Sequence, residues 1–269
     1  MDIRDFARGT VSWEHLEDIG LKLVTRLGQD QARIRFLNAD NWLSTPLVVD
    51  DAYFVKVITS QNVMVHSLMT RARNAGAMMS GTIGFFGQFE DPRAMGEHEL
   101  KTISQMREIG INAPDTIDHF EHDGSSVVVL EYLDEFRTYD QLAIDEQRMY
   151  AEDILRYLAL MHEHDFAHGD IRDENILIAN GEVYFIDATS IQQGQLNAAQ
   201  AYDVASVLAV LGPRIGYRES VSMAVNMLGA GIVRDAQRYA QFVYFRPDHT
   251  FDIHQLQDEI QHVVGQEQT

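Results

Sequence analysis

The chain has 269 residues, 45% of them hydrophobic, and sets 21 Lys and Arg against 41 Asp and Glu for a net charge of −20. That length allows one or two domains with sizeable cores, and the absence of cysteine excludes disulfides and thiolate chemistry. The acid excess argues against a nucleic-acid partner, because non-specific binding to phosphate backbones is mostly electrostatic. Only three basic residues are lysines, Lys22, Lys56 and Lys101, and acid excess with scarce lysine is the pattern of a halophilic protein from a salt-filled cytoplasm. No stretch has the length and uninterrupted apolarity of a membrane span. Asp2, Arg4 and Asp5 stand where a secretory signal would be apolar. A cytoplasmic protein with no membrane partner is expected.

Taken in chain order, residues 11–28 place Trp13, Leu16, Ile19, Leu23 and Leu27 at helical spacing and end on Gly28. Short strands follow at 32–37, 47–49 and 52–58, the last two joined at Asp50-Asp51. Residues 61–75 read as a helix, 76–87 as a glycine-rich loop and 94–109 as a second helix stopping at Gly110. Strands at 116–122 and 126–132 meet at Asp123-Gly124, a strong hairpin signal. Beyond Glu146 the pattern turns helical, with an amphipathic segment over 147–164, a small hairpin at Asn180-Gly181, and helices near 199–211, 219–228 and 252–264. A strand-rich half followed by a helix-rich half is an α+β arrangement.

The most informative stretch is His168-Gly169-Asp170-Ile171-Arg172-Asp173-Glu174-Asn175, followed by Val183-Tyr184-Phe185-Ile186-Asp187. It supplies an Asp, an Asn five positions on, and a second Asp after a short hairpin. Phosphoryl transfer from ATP needs such a set: a carboxylate for the accepting hydroxyl, and an amide with a second carboxylate for Mg²⁺. Lys56 is the other marked residue, alone in the apolar run Tyr53-Phe54-Val55-Lys56-Val57-Ile58. A buried ammonium needs a partner or a ligand.

This pattern resembles the protein-kinase-like superfamily, and His-Gly-Asp in place of His-Arg-Asp is similar to its RIO, KEOPS-complex and aminoglycoside/choline-kinase branches. The resemblance implies a bilobal kinase fold: an N-terminal helical extension over 1–30, an N-lobe over 31–132 with an insertion at 60–93, and a C-lobe over 133–269. It implies ATP and Mg²⁺, with Asp170 orienting the nucleophile and Asn175 and Asp187 holding the metal. Lys56 would contact the α- and β-phosphates and pair with a glutamate on the next regular helix. Glu99 is chosen over Glu97 for its offset from Gly110 and Pro114. Leu130 would be the gatekeeper, the backbone of Glu131 and Leu133 would meet adenine, and Asp203 would tie down the catalytic loop, unless it is an ordinary helix N-cap. Arg172, where serine/threonine kinases place a lysine, would reach the transferring phosphate with a bidentate fork, or else form a surface salt bridge with Asp173 or Glu174.

Three features depart from ordinary protein kinases. The phosphate-loop position, 38–46, contains no glycine, so Asn41, Ser44 and Thr45 would have to approach the phosphates. Gly81-Thr82-Ile83-Gly84-Phe85-Phe86-Gly87 follows Lys56 instead of preceding it, so it reads as part of the insertion, with Phe85, Phe86 and Phe89 covering the small lobe. Only fifteen residues separate Asp187 from Asp203, too few for a full activation loop. The expected function is an atypical, RIO-like serine/threonine kinase or ATPase, in which Asp187 itself can receive the phosphoryl group. The alternatives are a small-molecule kinase of the aminoglycoside/choline type and a non-catalytic ATP-binding pseudokinase. The acceptor is a hydroxyl, on a protein among other classes, and the resemblance adds a ribosomal particle as a class of partner.

Overall fold

The computed structural model describes residues 11–37, 43–246 and 248–266. The chain forms two compact units. The first takes the described residues up to Thr70, with Gln88–Ser104 and Pro114–Asp134; the second takes Arg71–Gly87, Gln105–Ala113 and the described residues from Glu135 onward.

The first unit is built on a five-stranded antiparallel sheet of β1 (Ile34–Phe36), β2 (Thr45–Val49), β3 (Tyr53–Ile58), β4 (Thr116–His122) and β5 (Ser125–Glu131), in the order β1-β2-β3-β5-β4. The expected turns form at both hairpins. Asp50 and Asp51, and likewise Asp123 and Gly124, have positive φ, the backbone that a tight two-residue turn requires. Strand alternation sends Leu47, Val49, Val55, Val57, Val127 and Val129 to one side of the sheet, where they bury with Leu16, Ile19 and Leu23 of α1 (Trp13–Arg26). The same alternation turns Lys56, between Val55 and Val57, to the opposite side.

Two helices follow β3. The first, α2 (Ser60–Met79), runs through the segment 76–79 that the sequence assigned to a loop. Ala75, Ala77, Met78 and Met79 are good helix formers and outweigh the single Gly76. The second, α3 (Pro92–Glu108), starts where Asp91 accepts the Ala94 N–H at 2.7 Å, ahead of a proline at the first helical position.

The second unit is mainly helical: α4 (Ile144–Glu163), α5 (Leu196–Ile215), α6 (Tyr217–Leu228), α7 (Ala230–Tyr244) and α8 (Ile253–Gln266). The central helix is α5, buried nearly all round. A small sheet of β6 (Arg137–Thr138), β7 (Ile176–Ala179) and β8 (Glu182–Phe185) carries the turn at Asn180-Gly181, both with positive φ. The pattern in the sequence does not announce α7. Gly229 and Gly231 at its start read as breakers, yet Val233, Ala236, Ala240 and Val243 bury one helical face. No helix among the described residues is long and apolar enough to cross a membrane. The architecture is α+β, as expected, with a strand-rich first unit and a mainly helical second one.

Candidate active site

In the first unit, Lys56 Nζ donates to Glu99 Oε1 at 2.7 Å, and both side chains are largely buried. One detail places Glu99 there: Gly96 lets the helix approach the sheet. A Cβ at Gly96 would lie 2.2 Å from Ser126 Oγ and 3.1 Å from His119 Nε2. Glu97, exposed on the same helix, pairs instead with Arg93, at 2.7 Å. Ser44 is buried with its Oγ lacking a hydrogen-bond partner, and Thr45 opens β2 opposite Val57. Asn41 lies outside the described residues. Leu130 and Leu133 are buried; Glu131 donates its N–H to Asp115 O at 2.8 Å and accepts the Asp115 N–H at 3.1 Å. The Tyr132 N–H donates to Ala52 O at 3.0 Å.

In the second unit, the loop after α4 is held from below by Asp203. This fully buried carboxylate accepts the N–H groups of His168 and Gly169, each at 2.7 Å. It lies well inside α5, which rules out the N-cap reading. Gly169 has φ +74°, and a Cβ there would come within 2.3 Å of Thr189 Cγ2, so the His-Gly-Asp spelling is a steric requirement of this loop. His168 accepts the Asp170 N–H on Nδ1 at 3.3 Å and packs beside Phe185. Burial pushes the His168 imidazole below its ordinary pKa, opposed by the carboxylates of Asp203, Asp170 and Asp187.

Asn175 donates to Asp170 O at 2.8 Å and to Asp170 Oδ2 at 3.3 Å, which brings two of the expected residues together. Asp187, half-buried, has φ +62° shortly after β8. That strand is fixed by Asn112, whose carbonyl accepts the Phe185 N–H at 3.0 Å and whose Nδ2 donates to Tyr157 Oη and Glu182 Oε2, each at 3.1 Å. Arg172 Nη1 pairs with Glu174 at 2.8 Å, so the salt bridge weighed against its phosphate role does form.

What the sequence did not disclose is the surround of Asp170. Arg246, only 6% exposed and just beyond α7, donates to Asp170 Oδ1 at 2.7 Å, to Asp248 through Nε at 2.9 Å, and also to the Tyr202 hydroxyl. Arg73 of α2 reaches the same Oδ1 at 3.3 Å. Arg172 Nε stands 3.6 Å from Oδ2. Burial alone would raise the Asp170 pKa; Arg246, then Arg73 and Arg172, overcome it and hold the carboxyl well below the usual carboxylate range. Arg73 arrives on the segment 71–87, whose Phe85 and Phe86 bury against Tyr202, Tyr239 and Phe242 in the helical unit. This corrects the expectation that Phe85 and Phe86 cover the small lobe; of the three phenylalanines Phe89 stays in the first unit, beside His66 and His98. No periodicity links residue 73 or 246 to 170, so only the fold could reveal them.

A family model described as RIO1, RIO domain, matches residues 90–212. Over 110 residues the chain is 27% identical to the KEOPS complex subunit Bud32 of Pyrococcus abyssi (strain GE5 / Orsay), covering 39% of this chain and 49% of that protein. Over 89 residues it is 35% identical to the serine/threonine-protein kinase GRIK2 of Arabidopsis thaliana, covering 31% of this chain and 20% of that one. The chain therefore spans about half of one curated relative and a fifth of the other. The solved structure of the bifunctional kinase-methyltransferase WbdD superposes with a TM-score of 0.49 at 16% identity, over 87% of this chain and 50% of that one. The RIO-domain match contains Glu99, Asp170, Asn175, Asp187 and Asp203, and with the two curated relatives it supports the likeness of this chain to the protein-kinase-like superfamily.

Proposed function

We propose that the chain is an ATP-dependent phosphotransferase of the RIO type, a serine/threonine kinase or ATPase that uses Mg²⁺. The observation that carries this reading is the formed Lys56–Glu99 ion pair in a chain that also carries Asp170, Asn175 and Asp187 on an ordered loop and strand end. Lys56, positioned by Glu99, would neutralise the α- and β-phosphates. Asn175 Oδ1 and the Asp187 carboxylate are hard oxygen donors suited to Mg²⁺, which when bound would draw charge from the β- and γ-phosphates. The orphaned Ser44 Oγ, next to Thr45, fits a hydrogen bond to a ligand oxygen. Adenine would meet the carbonyl of Glu131 and the backbone of Leu133, beside Leu130, since the Glu131 N–H is already used. Asp170 would orient the accepting hydroxyl, and Arg172 would meet the transferring phosphate after leaving Glu174. In the ATPase form, Asp187 itself would receive the phosphoryl group. The likeness to Bud32, a KEOPS complex subunit by name, extends the proposal to work within a protein assembly.

The test is γ-phosphate release and autophosphorylation with labelled ATP in Mg²⁺ and molar KCl. Wild type should turn over ATP, and Asp170→Ala and Asp187→Ala should each lose at least about 10²-fold. An acid-stable label on Ser or Thr selects the kinase form. The pseudokinase reading draws on one observation, the engagement of both Asp170 oxygens by protein donors. ATP binding with no turnover would establish it and sink the enzyme.

A further inference from the structure

We propose that the acceptor site around Asp170 is selective for anions: the hydroxyl that is phosphorylated belongs to a compound carrying a phosphate or carboxylate group beside it, held by Arg73 next to Arg172. This deepens the phosphotransferase reading and rests on it. In a chain of net charge −20, three guanidinium groups among the described residues converge on one carboxylate. They are not equally satisfied. Arg246 is locked by Asp170, Asp248 and Tyr202 and serves as the anchor that holds Asp170 in place. Arg73 has one long bond to Asp170 Oδ1, at 3.3 Å, and otherwise lies over the Phe86 ring. Arg172 has its Nη1 on Glu174 at 2.8 Å and 3.8 Å from Asp248, but its Nε is buried without a hydrogen-bond partner. His249, 9% exposed and within electrostatic reach of Asp170, Arg172 and Arg246, also buries an Nε2 with no partner. Buried polar atoms without a partner are uncommon and point to a ligand.

An incoming hydroxyl can reach Asp170 without displacing a contact. Oδ1 accepts from Arg246 and Arg73, whereas Oδ2 accepts from Asn175 alone, at 3.3 Å, and an ionised carboxylate oxygen takes two donors. The open side of Oδ2 faces the partnerless Nε of Arg172, 3.6 Å away, while Arg73 is held on Oδ1 by one 3.3 Å bond. A neutral acceptor gives these guanidinium groups nothing to bind. An acceptor with its own anionic group supplies the missing acceptor atoms, and phosphate and carboxylate both match the planar fork of arginine. The discrimination comes from donors that only an anionic compound satisfies.

The experiment uses the full chain. Calorimetric titrations of inorganic phosphate, malate and MgATP are run on wild type, Lys56→Ala, Arg73→Gln and Arg73→Lys, with circular dichroism as a check on folding. Phosphate or malate should bind wild type and Lys56→Ala alike, at least tenfold more weakly to Arg73→Gln, with Arg73→Lys between. The tighter of the two probes names the anion. Binding lost in Lys56→Ala but kept in Arg73→Gln would put the anion with the nucleotide phosphates and overturn the proposal, as would no binding of either probe. MgATP binding, read in the same series, separates the two ideas: its absence with anion binding intact sinks the phosphotransferase reading and leaves the anion site standing. As a second arm, glycerol 3-phosphate and glycerate should be phosphorylated at least tenfold faster than glycerol, and equal rates would refute the selectivity.

Discussion

Gly169 shows how far a single residue can control the loop. Its φ of +74° and the 2.3 Å approach of Thr189 Cγ2 to an added Cβ leave no room for a side chain. Gly169→Ala should lower stability by about 1–3 kcal/mol, and it should shift Asp170 enough to abolish ATP turnover; thermal denaturation and the labelled-ATP assay check both. His249 makes a pH prediction. Burial, then Arg246, lowers its pKa from 6.5 to about 4. The unfolded chain therefore binds the proton first, and stability is complete above about pH 6.5 and falls as the pH drops toward 4. At about 1.4 kcal/mol per pKa unit, this one group accounts for about 3 kcal/mol, and the lowered His168 acts in the same direction. Urea unfolding at pH 7 and pH 4.5 should show the loss, and His249→Gln should reduce its pH dependence; an unchanged slope would contradict the assignment.

At the scale of elements, the Lys56–Glu99 pair depends on how closely α3 approaches the sheet. Gly96→Ala drives a methyl group to 2.2 Å from Ser126 Oγ, an overpacking that costs about 1–3 kcal/mol. It should also weaken MgATP binding by separating Glu99 from Lys56. Ser126→Ala removes the clashing oxygen but also the hydroxyl that meets His119 Nε2 at 2.9 Å, so the double variant should recover part of the stability and the affinity; a double variant that binds MgATP no better than Gly96→Ala would show that the approach is not the cause. The N-cap of the same helix is a milder control. Asp91→Ala should cost about 1 kcal/mol in thermal denaturation without displacing Glu99 from Lys56, because it removes one hydrogen bond and adds no bulk.

Over the whole molecule, the net charge sets how stability responds to salt. With −20 spread over 269 residues, self-repulsion opposes the compact state. Raising KCl from about 0.1 M to about 1 M shortens the Debye length from about 10 Å to about 3 Å. The melting temperature should therefore rise with salt, by about 2–4 °C for each kcal/mol recovered. Buried pairs such as Lys56–Glu99 and Arg246–Asp170 are shielded from solvent ions and should survive the change. A melting temperature that falls with KCl would show that exposed ion pairs, such as Arg137–Glu146, outweigh the repulsion.

Local chemistry made much of the protein readable in one dimension. The three hairpins were written in Asp-Asp, Asp-Gly and Asn-Gly because positive φ restricts which residues can turn so tightly. The strand-then-helix order followed from side-chain periodicity. The contact of Asp170 with Asn175 was legible because both sit on one short loop, where spacing in sequence is nearly spacing in space. Lys56 stood out because a charge in an apolar strand must be compensated. Other features were settled only by tertiary packing. α7 formed despite its glycines because burial of Val233, Ala236 and Ala240 outweighed local propensity. The segment 71–87 joined the helical unit because Phe85 and Phe86 found Tyr202 and Phe242 there. Arg73 and Arg246 reached Asp170 from 97 and 76 residues away, contacts between distant parts of the chain that no local pattern encodes.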